Sequence, residues 1–232
     1  LTKGGSMFID ENPLSTDAKY EVKGGNVNGS YLLKADSPEG YIPIKIDKIP
    51  DEMGKNGRKV VYIASDCSVG DVDGDGQYEI FVKWDPSNAR DNAHTGFTNN
   101  TFIDCYRLDG TKLWRIDMGK NIRSGAHYTQ FMVYDFDGDG KAELMVRTAD
   151  GTIDGQGNVI GDKDKDWRCT EEGGKYGRIL EGPEYLTVFD GLTGRALATA
   201  NYIPQRGESM DWGDDHANRS DRFLAAVGYL DG

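Results

Sequence analysis

The chain has 232 residues and a formal net charge of −12 at pH 7, with 39 acidic and 27 basic side chains. This balance argues against a nucleic acid partner, because binding to DNA or RNA depends on basic surfaces. No stretch approaches eighteen consecutive apolar residues, so the sequence predicts no membrane-spanning segment.

The N-terminal region contains short β-rich segments separated by glycines and polar turns. These segments are SMFIDENP (6–13), AKYEVKGGNVNG (18–29) and SYLLKA (30–35). They predict the last strands of a separate small β-sandwich over residues 1–38. Residues 39–232 are then predicted to form a second domain.

Nine β-rich segments follow, and no twelve-residue stretch has the apolar spacing of a helix. The Asp109-Gly110 pair and the word DGLTG (190–194) predict tight turns between strands. The fold class predicted is therefore all-β. The predicted strands are KVVYIAS (59–65), YEIFVKW (78–84), TFIDCYRL (101–108), TKLWRIDM (111–118), TQFMVYDF (129–136), AELMVRTA (142–149), YLTVFD (185–190), RALATANY (195–202) and RFLAAVGYL (222–230).

The order of these strands repeats along the chain. In each unit a strand enters the word DxDGDG, a second strand follows at once, an insertion comes next, and an Asp-Gly turn closes the unit. A third unit begins at FLAAVGYLDG (223–232). Four-stranded units in series are typical of propeller blades. Since two blades and a start cannot close a ring, we expect the N-terminal part of a larger β-propeller. The polar insertions at 85–100 and 150–184 are expected to carry function.

The repeated acidic word predicts a metal site. In DVDGDGQYE (71–79) and DFDGDGKAE (135–143), carboxylates at positions 1, 3, 5 and 9 join a backbone carbonyl at position 7. Six or seven oxygens suit Ca²⁺ better than Mg²⁺, and a valine at position 12 excludes an EF-hand. The alternative is a solvated acidic turn, and we assign both loops to bracing rather than chemistry. The predicted ligands are Asp71, Asp73, Asp75, Gln77, Glu79, Asp135, Asp137, Asp139, Lys141 and Glu143.

Other polar residues are concentrated in a few short segments near the predicted strand ends. Lys83 and Arg147 lie four residues beyond the loop glutamates, so the alternative to a functional role is that they only balance the charge of the loop carboxylates. His127 is alternatively a structural histidine, and DWGDDHANRSDR (211–222) is alternatively a capped loop or a further calcium site. So many basic side chains in these segments of an acidic chain nevertheless favour an anionic ligand nearby. Candidates in these segments include Asn88, Arg90, Asp91, Asn92, Arg123, Trp212, Asp214, Asp215, His216, Asn218 and Arg219.

The three cysteines, Cys67, Cys105 and Cys169, have no CxxC spacing, which argues against a zinc site. One disulfide with a free thiol and three buried thiols both remain open.

Long stretches of the sequence carry a family resemblance from about residue 59 onward. They are GDVDGDGQYEIFVKWDPSNARDN (70–92), LDGTKLWRIDMGKNIRSGAHYTQFMVYDFDGDGKAELMVRTADGT (108–152), GPEYLTVFDGLTGRALATANYIPQRG (182–207) and DWGDDHANRSDRFLAAVGYLDG (211–232). These stretches resemble the rhamnogalacturonan lyases of polysaccharide lyase family eleven. The resemblance implies an eight-bladed β-propeller with several structural calcium ions, preceded by a small fibronectin type III-like sandwich.

The resemblance also implies β-elimination on the rhamnose–galacturonate backbone of pectin. A base removes the proton on C5 of galacturonate, and calcium or arginine must neutralise the adjacent carboxylate. We predict His127 as the base, with Arg123 and Arg147 binding carboxylates, although the base could equally lie beyond Gly232. Asp91 is predicted to bind a substrate-side calcium. The predicted substrate-binding set is Asn88, Arg90, Asp91, Asn92 and Trp212.

The partner implied is an acidic pectic polysaccharide, with no nucleic acid and no membrane. The protein is expected to be secreted, with any signal removed or outside this chain, and to need the remainder of its propeller for activity. The main alternative is a non-catalytic, calcium-braced propeller for carbohydrate binding or adhesion, which would share DxDGDG but not the words WDPSN, GAHYTQF and GPEYLTVF. A quinoprotein dehydrogenase, suggested by DGLTG, is disfavoured by the calcium loops and by the lack of tryptophan docking repeats.

Overall fold

The computed structural model describes residues 10, 16–24, 27–38 and 41–228. The chain forms two compact units that divide between Ile44 and Lys45. The boundary predicted after residue 38 lies slightly earlier. The sandwich identity of the first unit stays a prediction.

The N-terminal unit contains one antiparallel pair of strands, β1 (Ala18–Gly24) and β2 (Val27–Leu33). Tyr20 lies opposite Tyr31 in this pair. The predicted segment 6–13 lies outside the described residues except for Asp10, which accepts a hydrogen bond of 2.8 Å from the Tyr20 hydroxyl.

The second unit is built from antiparallel sheets, so the all-β class is confirmed. One sheet has the order β5-β6-β7-β8-β11-β12, another has the order β9-β10-β13-β14, and β3 pairs with β4. The sheets do not close on one another. Among the described residues the one helix is a short 3₁₀ turn at Ser209–Trp212. The strands are β3 (Glu52–Met53), β4 (Lys59–Val60), β5 (Tyr62–Gly70), β6 (Glu79–Pro86), β7 (Phe102–Tyr106), β8 (Lys112–Asp117), β9 (Phe131–Tyr134), β10 (Glu143–Ala149), β11 (Thr152–Ile153), β12 (Val159–Ile160), β13 (Glu184–Phe189) and β14 (Ala196–Asn201).

The sequence repeat reappears as a repeat of strand register. Ile80 of β6 lies opposite Tyr106 of β7, and Leu144 of β10 lies opposite Phe189 of β13. The second insertion is not all loop, because β11 and β12 form a hairpin that extends the first sheet through the pair Ile153 and Asp117.

The main core lies between the two large sheets. Phe81 and Trp114 meet edge to face with ring centroids 5.6 Å apart, and the Trp114 indole donates a hydrogen bond of 2.8 Å to the Gly191 carbonyl. A side chain at Gly70 would place its Cβ 2.6 Å from that of Ala142, so only glycine permits this approach. Other fully buried members of the core are Ile103, Cys105, Ile116, Met118, Leu144, Val146 and Phe189.

Two expectations are corrected by the structure. The strand predicted at 222–230 is wrong over 222–228, because no described strand lies alongside to complete its ladder of hydrogen bonds, and Leu224 is left exposed. The cysteines form no disulfide and are not all buried: Cys105 is buried, Cys169 is half-buried and Cys67 is exposed.

In the described part of the chain, no helix is long and apolar enough to span a membrane.

Candidate functional site

The aspartate loops and the polar insertions lie at opposite ends of the strands. The first loop joins β5 to β6 and the second joins β9 to β10, whereas the insertions follow the far ends of β6 and β10. Strand β6 has 8 residues, and eight residues of strand span about 25 Å. The candidate metal ligands are thus separated from most of the other predicted site residues.

In the first aspartate loop, residues 71–79, three carboxylates converge. One oxygen from each of Asp71, Asp73 and Glu79 lies within 4.8 Å of the others. Asp71 accepts N–H bonds of 2.7 and 2.8 Å from Gly74 and Gly76, whose φ angles of 79° and 86° turn the loop back on itself. Positive φ at alternate positions requires glycine, which explains both glycines of the word.

In the second aspartate loop, residues 135–143, the arrangement is the same. Oxygens of Asp135, Asp137 and Glu143 lie within 4.8 Å of one another. Glu143 is buried and accepts an N–H bond of 2.9 Å from Phe136. Burial raises the pKa of Glu143, and the neighbouring aspartates raise it further. Burial likewise raises the pKa of Glu79 in the first loop.

These donor sets fit a hard divalent cation, because all their ligand atoms are carboxylate oxygens that lie close together. Asp75 and Asp139 lie outside the converging groups and accept the N–H groups of Gln77 and Lys141. Their ligand roles, and those of the Gln77 and Lys141 carbonyls, stay predictions.

At the other end of the strands, His127 and Asp91 form a pair. Nδ1 of His127 lies 2.5 Å from Oδ2 of Asp91, and the same oxygen accepts a bond of 2.8 Å from Arg222. The His127 side chain is 60% exposed, whereas that of Asp91 is largely buried. Burial would raise the pKa of Asp91, but its hydrogen bonds with His127 and the charge of Arg222 prevail and lower it. The carboxylate is therefore held ionised.

A buried network fixes the segments on either side of this pair. The Tyr128 hydroxyl accepts an N–H bond of 2.6 Å from Asn92 and donates one of 2.6 Å to Asn218. The Asn92 amide donates to Asp221 at 2.8 Å. Residues from 87–100, 121–130 and 211–222 are thereby tied together, which brings three of the predicted words to one place. We call Asp91, Asn92, His127, Tyr128, Asn218 and Asp221 the polar cluster.

Arg147 lies beside this cluster in a paired, largely buried position. Its guanidinium contacts Glu184 at 2.8 Å and Asp221 at 2.6 Å. Burial alone would lower the pKa of Arg147, but the two carboxylates raise it above its ordinary value. Lys83, at the matching position of β6, contacts Asp66 at 2.5 Å and Asp85 at 3.7 Å.

Arg123 is 3% exposed and binds backbone carbonyls. Its nitrogens donate to the carbonyl oxygens of Arg90, His94, Gly96 and Gly177. Burial lowers the pKa of Arg123 to about 10, with Arg90 and Arg178 adding to the effect. Arg123 thus ties the first insertion to the second, and its predicted contact with substrate stays a prediction.

The remaining predicted residues make their side-chain contacts outside the polar cluster. Asn88 exchanges two hydrogen bonds with Asn99, and Arg90 donates to the Thr95 carbonyl at 3.0 Å. Trp212 packs edge to face on Phe223 with centroids 4.8 Å apart. Their substrate-binding roles stay predictions.

Sequence reasoning missed several members of the site. Asp221 and Arg222 end the segment DWGDDHANRSDR but were not among its candidates, and they reach residues about 130 positions earlier through tertiary packing. Glu184, which holds both Arg147 and Arg206, carried no local signal either. Tyr128 stands next to His127 in GAHYTQF, and that adjacency was the one usable signal.

Comparison with known proteins identifies the family. Residues 41–232 match the C-terminal domain of rhamnogalacturonan lyase family 11. The rhamnogalacturonan exolyase YesX of Bacillus subtilis (strain 168) is 52% identical over 228 residues, which are 97% of this chain and 36% of YesX. The endolyase YesW of the same organism is 53% identical over 229 residues, again 97% of this chain and 36% of the relative.

A solved structure agrees with these relatives. The rhamnogalacturonan lyase PL11 of Bacillus licheniformis matches with a TM-score of 0.83 and 52% identity, covering 94% of this chain and 37% of that one. The chain therefore spans little more than a third of the length of the proteins it matches. It belongs to rhamnogalacturonan lyase family 11.

Proposed function

We propose that the protein containing this chain cleaves the rhamnose–galacturonate backbone of pectin by β-elimination. Membership of the family supports the reaction class, and the relatives named above are rhamnogalacturonan lyases. The observation that carries the proposal in this chain is the pair of exposed His127 and buried, ionised Asp91. An acidic pectic polysaccharide is the proposed substrate.

His127 is suited to act as the base. Because the Asp91 carboxylate can only accept, Nδ1 of His127 carries the hydrogen in their bond of 2.5 Å. In the neutral imidazole this leaves Nε2 without a hydrogen, and Nε2 can then take the proton from C5 of galacturonate. The electron pair forms the C4–C5 double bond, and the rhamnosyl oxygen leaves from C4.

The galacturonate carboxylate must be neutralised, because its charge makes the C5 proton weakly acidic. Arg222 contacts the same Asp91 oxygen as His127 and so places positive charge near His127. Arg90 adds a further cation to the first insertion, where it donates to the Thr95 carbonyl. Calcium bound on the substrate side, with Asp91 as a ligand, would supply further neutralisation. Arg147 and Arg123 are proposed to act through the elements that they hold together.

The same proposal covers the architecture. The two large sheets are successive blades of an eight-bladed propeller, and β1–β2 belongs to the end of a fibronectin type III-like sandwich. Calcium in the aspartate loops braces the blades. The protein acts outside the cell, where pectin is found, and needs the rest of its propeller.

The direct test uses the protein in its full natural length with rhamnogalacturonan I and calcium. Ultraviolet absorbance from the unsaturated uronate should rise with time. His127→Ala should lower the initial rate about 100-fold or more, since a positioned base contributes roughly 10²–10⁴ in rate. The matched control, His94→Ala, removes an exposed histidine of the first insertion and should leave the rate within about twofold.

Binding of the polymer without any rise in absorbance would instead favour the carbohydrate-binding alternative. Equal rates for the wild-type protein and His127→Ala would place the base elsewhere in the protein.

A further inference from the structure

Arg178 is a buried cation without a partner. It is 9% exposed, and it makes no ion pair and no side-chain hydrogen bond with any described residue. Its Nε is fully enclosed and unbonded. Burial of an unpaired charge is costly, so folded proteins retain one chiefly where something pairs with it.

The other buried basic side chains of the second unit differ from Arg178, because each of them has partners. Lys83 faces Asp66 and Asp85, and Arg147 and Arg206 share Glu184. Arg123 has no carboxylate, but it is satisfied by four carbonyl oxygens. Within the described ranges, Arg178 stands apart from all of these.

The backbone around Arg178 is held firmly, and it is held against the first insertion. The Gly177 carbonyl accepts a hydrogen bond from Arg123, and the Tyr176 carbonyl accepts one of 2.7 Å from the Gly96 N–H. A Cβ on Gly177 would lie 2.3 Å from the Gly96 carbonyl carbon, so the two segments are in close contact. The same insertion carries Asp91, the partner of His127.

Positive charge accumulates at this contact. Arg90 and Arg178 both act on Arg123 and help to lower its pKa. Arg178 also acts on Asp215, whose pKa is lowered first by its hydrogen bond with His216 and last by the charge of Arg178. Asp215 pairs with His216 at 2.6 Å and makes no ion pair with Arg178.

We propose that Arg178 binds a carboxylate of the acidic polysaccharide where the second insertion meets the first. This inference rests on the proposed function and adds a substrate-binding residue to it. A guanidinium presents a planar fork that matches a carboxylate, and an enclosed site strengthens such a bond. The sequence gives no hint of this, since GGKYGRIL (173–180) reads as an ordinary loop.

The test compares two ligands on the full-length protein by calorimetric titration. One ligand is a rhamnogalacturonan oligosaccharide, and the other is the same oligosaccharide with its carboxylates reduced to alcohols. Arg178→Gln should weaken binding of the acidic ligand about tenfold or more and leave binding of the reduced ligand unchanged. Arg178→Lys should restore part of the loss. The control, Arg195→Gln, alters an exposed arginine at the aspartate-loop end and should change neither affinity.

A purely structural role predicts a different pattern. If Asp215 were the true partner, Arg178→Gln and Asp215→Asn would lower the melting temperature alike, and the acidic ligand would bind as before. That result would overturn the inference while leaving the proposed function intact. Failure of the wild-type protein to bind or cleave the acidic ligand would overturn both.

Discussion

The first and second aspartate loops share one sequence pattern but have different neighbours. In the first, Arg107 contacts Asp73 at 2.9 Å. In the second, Asp137 makes no ion pair with any residue that the structure describes. The register explains the difference, since Arg107 follows Tyr106 at the position where Asp190 follows Phe189 in the other sheet.

The start of the first loop also packs against the neighbouring sheet. The Ala142 N–H donates to the Asp71 carbonyl at 2.7 Å, and Gly70 packs directly on Ala142. The Lys141 side chain passes over Gly74, because a Cβ there would lie 3.7 Å from it. The first aspartate loop thus has two basic side chains beside it, Arg107 and Lys141. A cation beside a carboxylate competes with a metal ion, so we expect the first loop to bind calcium more weakly.

The largest expected effect comes from removing a carboxylate of the stronger site. Asp137→Asn should remove about 2.7 kcal/mol of stability when calcium is about 100 times its Kd. Asp73→Asn, its matched counterpart, should cost about 1 kcal/mol less if the first site binds about fivefold more weakly. Thermal unfolding with calcium and with chelator measures both. In chelator the two variants should differ only by the ion pair that Asp73 makes with Arg107, which is worth roughly 0.2–1 kcal/mol. The opposite ranking would break the comparison.

A smaller effect is expected from Arg107→Gln, which removes the competing charge. An exposed ion pair is worth roughly 0.2–1 kcal/mol, so calcium affinity of the first loop should rise about 1.4- to fivefold. Calcium titration of this variant in the Asp137→Asn background isolates the first loop from the second. An unchanged or weaker affinity would show that Arg107 does not compete with the ion.

The comparison also shows how far sequence reasoning reaches. The acidic words, the strands that flank them and the glycines at positions 74 and 76 follow from local rules, and the structure has all of them. The pairing of Arg107 with Asp73 does not follow, because it joins two strands of a sheet whose register is set by tertiary packing. The same holds for Arg222 on Asp91, and for Arg178, which is notable only for what it does not contact.

The errors have physical causes too. The strands β11 and β12 have two residues each, too few to show an alternating pattern. Residues 222–228 have strong β propensity, but no described strand offers them a hydrogen-bonding edge. In both segments, β propensity alone did not determine whether a strand forms.

The central claim is that each acidic word is a calcium loop, and bound calcium per protein molecule tests it most directly. Equilibrium dialysis would compare the full-length protein with two loop variants in which the three converging carboxylates become amides. Each variant should hold one calcium ion fewer than the wild-type protein at saturation and remain folded. If both variants hold as many ions as the wild-type protein, the repeated words are solvated acidic turns and the account is wrong. The variant positions are Asp71, Asp73 and Glu79 in one protein and Asp135, Asp137 and Glu143 in the other.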